Sequence, residues 1–238
     1  MTTRTIQKII LITLLTISSS VFADDKVNWS GPYVGVQLGY VRGDFNDKEE
    51  LNNIWQGWTL KTRPSGFSYG LTAGINKLFD NKVLVGIESE IEGVNADDKK
   101  NGQCAAPSLN CASGNYPIKT EYQFKGSLRG RIGYILNQDS TLIFATAGAA
   151  VAKVKSEFYG NGDGTTITDL ENDTLHGWTV GFGLEHLINA NISVKAEYRY
   201  TDLGTFNSRS PIYSVLPGYY EHFDASDNSL RVGINYHF

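Results

Sequence analysis

Charged side chains recur in this chain two positions apart. Glu88, Glu90 and Glu92 form one such row, Arg129 and Arg131 a second, and Lys195, Glu197 and Arg199 a third that mixes both signs. In an extended strand, residues two apart share a face, so each row projects as a unit. Lys125, Glu185 and Arg231 extend the set. Enclosed in a narrow lumen, such rows have two uses. They select ions along a path, or the opposite signs pair and fill the space. The near balance of signs favours pairing, with Arg129 and Arg131 directed at Glu88, Glu90 and Glu197.

Nucleophilic catalysis would need a serine, a histidine and an acid within hydrogen-bond reach. His176 and His222 fall near the ends of long connections, His186 beside a short turn, and His237 next to the last residue. No catalytic set emerges, and an enzyme is not expected. Gly160-Asn161-Gly162-Asp163-Gly164-Thr165 has the composition of a calcium loop but lacks the closing Glu, so it reads as a flexible turn. No metal or cofactor is expected.

The elements that carry these rows are strands. Helical periodicity is nearly absent, whereas a two-residue alternation returns eight times. Val34, Val36, Leu38 and Tyr40 lie opposite Gly35, Gln37 and Gly39. Phe67, Tyr69, Leu71, Ala73 and Ile75 form the second apolar face, and Val83, Val85, Ile87 and Ile91 the third. Tyr122, Phe124, Leu128, Ile132 and Tyr134 are assigned together to the fourth. In the fifth segment, Leu142 to Phe158, the stretch ATAGAAVA leaves the facing open. Trp178, Val180, Phe182 and Leu184 mark the sixth, and Ile192, Val194, Ala196, Tyr198 and Tyr200 the seventh. Leu230, Val232, Ile234, Tyr236 and Phe238 mark the last.

A water-soluble sandwich alternates in the same way, but two features decide against it. Long connections at about 44–65, 94–120, 159–174 and 204–224 interleave with short turns, the rhythm of extracellular loops and periplasmic turns in an outer-membrane barrel. The ionised residues lie on the faces opposite apolar rows rich in Tyr, Phe and Trp, as at a lipid boundary. The fold expected is an all-β, eight-stranded antiparallel up-and-down transmembrane barrel. Closure is required because every backbone polar group in hydrocarbon needs a partner.

The start of the chain agrees with export. Arg4 and Lys8 precede the apolar run Ile9 to Ile17, and Val21 and Ala23 offer small residues for cleavage after Ala23. Residues 1–23 are therefore expected to be a signal peptide and 24–238 the barrel. Without Arg4 and Lys8 the chain keeps 19 basic against 25 acidic residues, and nucleic acid is not an expected partner. Cys104 and Cys111, an even count in an exported chain, read as a disulfide closing a small ring in the second long connection.

Trp29-Ser30-Gly31-Pro32-Tyr33-Val34-Gly35, Ser127-Leu128-Arg129-Gly130-Arg131-Ile132-Gly133-Tyr134 and Glu197-Tyr198-Arg199-Tyr200-Thr201-Asp202-Leu203-Gly204 occur in this order. Val232-Gly233-Ile234-Asn235-Tyr236-His237-Phe238 ends the chain. Together these resemble the small eight-stranded outer-membrane barrels of opacity-type and immunodominant surface proteins, of the OmpA/OmpX-like kind. The resemblance implies a Gram-negative surface protein serving envelope integrity, host contact or antigenic display, without a periplasmic domain.

Leu230, Val232, Ile234, Tyr236 and Phe238 resemble the signal read by the barrel-assembly machinery, which an exposed terminal strand can meet edge-on. Trp55-Gln56-Gly57-Trp58 and Pro217-Gly218-Tyr219-Tyr220 offer loop aromatics to a host molecule or haem, or to one another. The partners expected are outer-membrane lipid, the assembly machinery and a host molecule at the loops. The alternative to a closed surface barrel is a narrow porin-like channel for ions or small solutes.

Overall fold

The computed structural model describes residues 29–51, 54–101, 103–104, 117–136, 140–162, 165–208 and 219–238. The export signal expected at residues 1–23 lies outside them. All regular structure among the described residues is β-strand: β1 (Gly31–Leu51), β2 (Ile54–Thr62), β3 (Ser65–Leu78), β4 (Val83–Asn101), β5 (Gln103–Cys104), β6 (Pro117–Leu136), β7 (Thr141–Gly162), β8 (Thr165–Leu187), β9 (Ile192–Ser208) and β10 (Tyr219–His237).

The staves run β1-β3-β4-β6-β7-β8-β9-β10, and β10 pairs antiparallel with β1 to close an eight-stranded barrel. β2 and β5 are continuations of the wall. β2 precedes β3 across Arg63 and Pro64, where the chain has no N–H to give at Pro64 but its carbonyl accepts from Gly43 N–H at 2.8 Å. At one end the connections are tight. Between β3 and β4, Lys82 takes a left-handed φ of 65° and its N–H reaches the Phe79 carbonyl at 3.0 Å. Between β8 and β9, Asn189 Oδ1 accepts from the N–H groups of Asn191 and Ile192 at 2.9 and 2.8 Å.

At the other end, much of what the sequence suggests as loop is strand. β1 runs on to Leu51 and returns as β2, β4 reaches Asn101, β7 and β8 extend to Gly162 and Thr165, and β9 to Ser208. Backbone groups gain the same ladder partners above the apolar belt as within it, so the ladder continues where the side-chain alternation fades.

The outside is greasy. Val36, Leu38, Phe67, Leu71, Ile87, Ile91, Leu128, Ile132, Phe182, Leu230 and Val232 all face outward and are exposed. On β3 the outward row from Phe67 to Lys77 spans roughly 25 Å at about 3.3 Å per residue and a tilt near 40°, the height of an outer-membrane apolar band. Aromatic pairs edge it. Tyr40 meets Phe67 and Trp178 meets Tyr200 toward the long connections, and Tyr236 meets Phe238 toward the short turns.

On the fifth stave, β7, Leu142, Phe144, Thr146, Ala150, Ala152 and Val154 are buried inside, while Ile143, Ala145, Ala147 and Ala149 are exposed outside. Tyr122 does not share a face with Phe124 as the alternation suggests. Register shifts between Tyr122 and Phe124, because an extra residue, Gln123, is inserted there. This bulge turns Tyr122 inward, where it is 1% exposed.

Candidate functional site

The lumen is layered. Toward the short turns, Trp29, Leu84, Ile135, Leu142, Phe144 and Leu187 form an apolar cluster, with Leu78 packed against it. Toward the long connections, Val41, Phe45, Val94, Ala96, Tyr122, Ala150, Ala152, Val154, Leu175, Leu203 and Ala225 form another. Between them lies a band of ionised side chains. Among the described residues it holds six carboxylates (Glu88, Glu90, Glu92, Glu185, Glu197, Asp227) and six cations (Lys125, Arg129, Arg131, Lys195, Arg199, Arg231), all buried.

Each stave supplies its charges through the two-residue beat: β4 gives the three glutamates, β6 Lys125, Arg129 and Arg131, and β9 Lys195, Glu197 and Arg199. The order of staves places β4 across the barrel from β9, and β6 across from β10. Pairing across the lumen follows. Arg199 grips Glu90 with both terminal nitrogens, each bond 2.7 Å, the fork geometry that suits guanidinium and carboxylate. Lys195 Nζ reaches Glu88 at 3.1 Å. Lys125 Nζ holds both oxygens of Asp227 at 2.7 Å, and Tyr122 Oη lies 3.4 Å from Asp227 Oδ2.

Arg129 is the hub. It donates to Glu88, to Glu90 at 2.8 Å and to Glu197 at 2.7 Å. Glu197 also accepts from Arg199 at 2.8 Å and from Thr146 Oγ1 at 3.1 Å. Arg231 binds Glu92 through Nε at 3.1 Å and Nη2 at 2.7 Å, and also contacts Ser229. Arg131 differs from the expectation. It pairs with Glu185 and lays its guanidinium over the Phe144 ring at 4.2 Å, and makes no ion pair with Glu90 or Glu197. It leans toward the short turns and reaches past β7 to Glu185 on β8.

Glu185 is satisfied by several donors. Ser193 Oγ donates at 2.5 Å and Asn235 Nδ2 at 2.6 Å, and His237 Nε2 stands 3.4 Å away. The His237 ring is flanked by Trp29 and Tyr33, each centroid 5.6 Å distant. Tyr33 Oη in turn donates to Glu88 at 2.6 Å. Removing one member of such a buried set strands its partners, at a cost of about 3–5 kcal/mol.

Tyr33, Tyr122, Thr146, Ser193, Asp227, Asn235 and His237 belong to this site but not to the rows named from sequence. Asp227 was findable, since it stands two and four residues before Ser229 and Arg231 on the same face. Tyr122 was hidden by the bulge. His176 and His186 are exposed at separate heights of β8, and His186 Nδ1 lies 3.0 Å from Thr141 Oγ1. The side chain of His222, the disulfide expected of Cys104 and Cys111, the side chains of Trp55 to Trp58 and residues 217–218 lie outside what is described. Leu230, Val232, Ile234 and Tyr236 face outward along β10, and Phe238 N–H donates to the Pro32 carbonyl at 3.1 Å.

The family model described as "Outer membrane protein beta-barrel domain" matches residues 9–238. The "31 kDa outer-membrane immunogenic protein" of Brucella melitensis biotype 1 is 33% identical over 220 residues, covering 90% of this chain and 85% of that protein. The "25 kDa outer-membrane immunogenic protein" of Brucella abortus biovar 1 is 28% identical, covering 99% of this chain and 100% of that protein. In fold, the chain is similar to the outer membrane protein OprG from Pseudomonas aeruginosa, with a TM-score of 0.57 at 16% identity, covering 88% of this chain and 96% of that one. An eight-stranded wall, apolar outside and ionised within, and a family match over nearly its whole length lead to one conclusion: the chain belongs to the outer-membrane protein β-barrel family and is a protein of the outer membrane.

Proposed function

We propose that this barrel is a sealed surface-display protein. It anchors in the outer membrane, contributes to envelope structure and holds its long connections outside the cell for interaction or antigenic display. The observation that carries the reading is the twelve-member band of ion pairs crossing the lumen between two apolar clusters. Eight staves leave an interior just wide enough for side chains to fill, and here they do so from wall to wall. The names of the two Brucella relatives, both immunogenic outer-membrane proteins, support display.

In this reading the export signal at residues 1–23 is removed before assembly, and the exposed row Leu230, Val232, Ile234 and Tyr236 with Phe238 presents the last strand to the assembly machinery. No reaction is assigned to the barrel. Planar-bilayer recording of the refolded chain tests the seal. The expected result is a baseline without unitary steps, whereas discrete, reproducible openings would replace this reading with the narrow channel.

A further inference from the structure

The wall above the membrane band is not closed all round. β8 stays paired with β7 to the tip, from His186↔Thr141 up to Thr165↔Gly162. Its ladder with β9 ends at Trp178↔Asp202. β9 goes on with β10 instead, as far as Ser208↔Glu221. Elsewhere on the rim β10 follows β1 to Leu51, β1 follows β2, and β4, β6 and β7 stay paired well above the belt, while β2 and β4 share no ladder among the described residues. A seam therefore opens between β8 and β9.

The chain is built to part there. Gly204 has a left-handed φ of 75°, its N–H accepted by Asp202 Oδ1 at 2.8 Å, and β9 carries two residues, Leu203 and Gly204, against one on β10. That bulge bends β9 off the line of β8. The Asp202-Leu203-Gly204 run of the seventh stave is thus the hinge of the seam. Gly177, opposite it, is the last point of close approach, because a Cβ there would run into the Asp202 carbonyl.

From Thr165 to Gly177, β8 presents one edge with no strand partner among the described residues. At its base, Leu187 N–H donates toward β7, to the Ser140 carbonyl at 2.9 Å. By strict alternation, the even-numbered residues from Thr166 to His176 turn N–H and C=O to the open side. An unpaired edge is a template for another strand. The sequence around it is predominantly acidic. Glu157, Asp169, Glu171 and Asp173 stand in the β7–β8 ribbon against two lysines, Lys153 and Lys155, and no Lys or Arg follows until Lys195.

We propose that the open β8 edge is a docking site for an extended, Lys/Arg-rich segment of a partner protein, added as an antiparallel strand. The inference rests on the display reading for its access to partners. Its test needs neither membrane orientation nor conductance, so failure of one leaves the other standing.

The probe is a fluorescent twelve-residue peptide of alternating Lys and Thr, titrated by anisotropy onto the refolded full chain in detergent. Two controls are alternating Lys–Pro, which cannot form a ladder, and alternating Glu–Thr. The Lys–Thr peptide is expected to bind about tenfold or more tightly than either control. Asn172→Pro and Thr168→Pro each remove an N–H from the open edge while sparing the β7 ladder, and each should weaken binding by a similar factor. Heat-modifiable gel mobility reports that the variant barrels are folded. The proposal is overturned if Lys–Pro binds as well as Lys–Thr, if neither peptide binds, or if both proline variants bind as the parent does. Disulfide-linked dimers of an Asn172→Cys variant forming in place of peptide binding would assign the edge to a second copy and overturn it too.

Discussion

The lumen is lined by two kinds of wall. β4, β6 and β9 project long ionised side chains inward. The inward rows of β1 and β3 carry none: Tyr33, Gly35, Gln37, Gly39 and Val41 on one, Ser68, Gly70, Thr72, Gly74 and Asn76 on the other. The difference is a division of space. A barrel of fixed circumference cannot hold arginines from every stave, so the long side chains of some walls need small residues on others. A Cβ on Gly39 would stand 2.9 Å from Arg231 Cγ, and one on Gly181 of β8 would stand 2.6 Å from Glu197 Oε1. The glycines are the room into which the network fits.

The comparison breaks most severely on the charged side. Arg129→Ala leaves Glu88, Glu90 and Glu197 short of their shared donor, and it should destabilise the barrel by about 3–5 kcal/mol. A fall in the urea midpoint of refolded protein in lipid vesicles would register this, and an unchanged midpoint would mean the carboxylates are satisfied some other way. The small-residue side should give a lesser effect. Gly181→Val crowds Glu197 and is expected to cost about 1–3 kcal/mol in the same assay, with Gly39→Val behaving alike. The smallest effect sharpens the picture. Lys125→Met with Asp227→Leu removes a pair bound almost wholly to itself, so the double variant should lie within about 1 kcal/mol of the parent while each single change costs more. A double-mutant cycle measures the difference.

Much of this division is legible in the chain. Glu88, Glu90 and Glu92, and Lys195, Glu197 and Arg199, sit in unbroken period-two rows, and such rows can face only one way once the opposite row is apolar. Legibility fails where the beat slips or is silent. Gln123 shifts the phase and carries Tyr122 inside. In β7 the alanines suit either face, and only its neighbours settle which they take. Partner choice is not local at all. That Arg131 meets Glu185 while Arg129 meets Glu88, Glu90 and Glu197 depends on how eight registers add around a ring.

The cross-lumen bonds also join early chain to late chain. Glu90 waits for Arg199, Glu92 for Arg231, Lys125 for Asp227 and Arg131 for Glu185. A polypeptide lacking its last two staves would hold Glu92 and Lys125 with no mate on the far side, besides leaving β1 with a raw edge. Completion of the molecule is therefore sensed twice, once by backbone and once by charge, and both locks are turned by the same terminal strand.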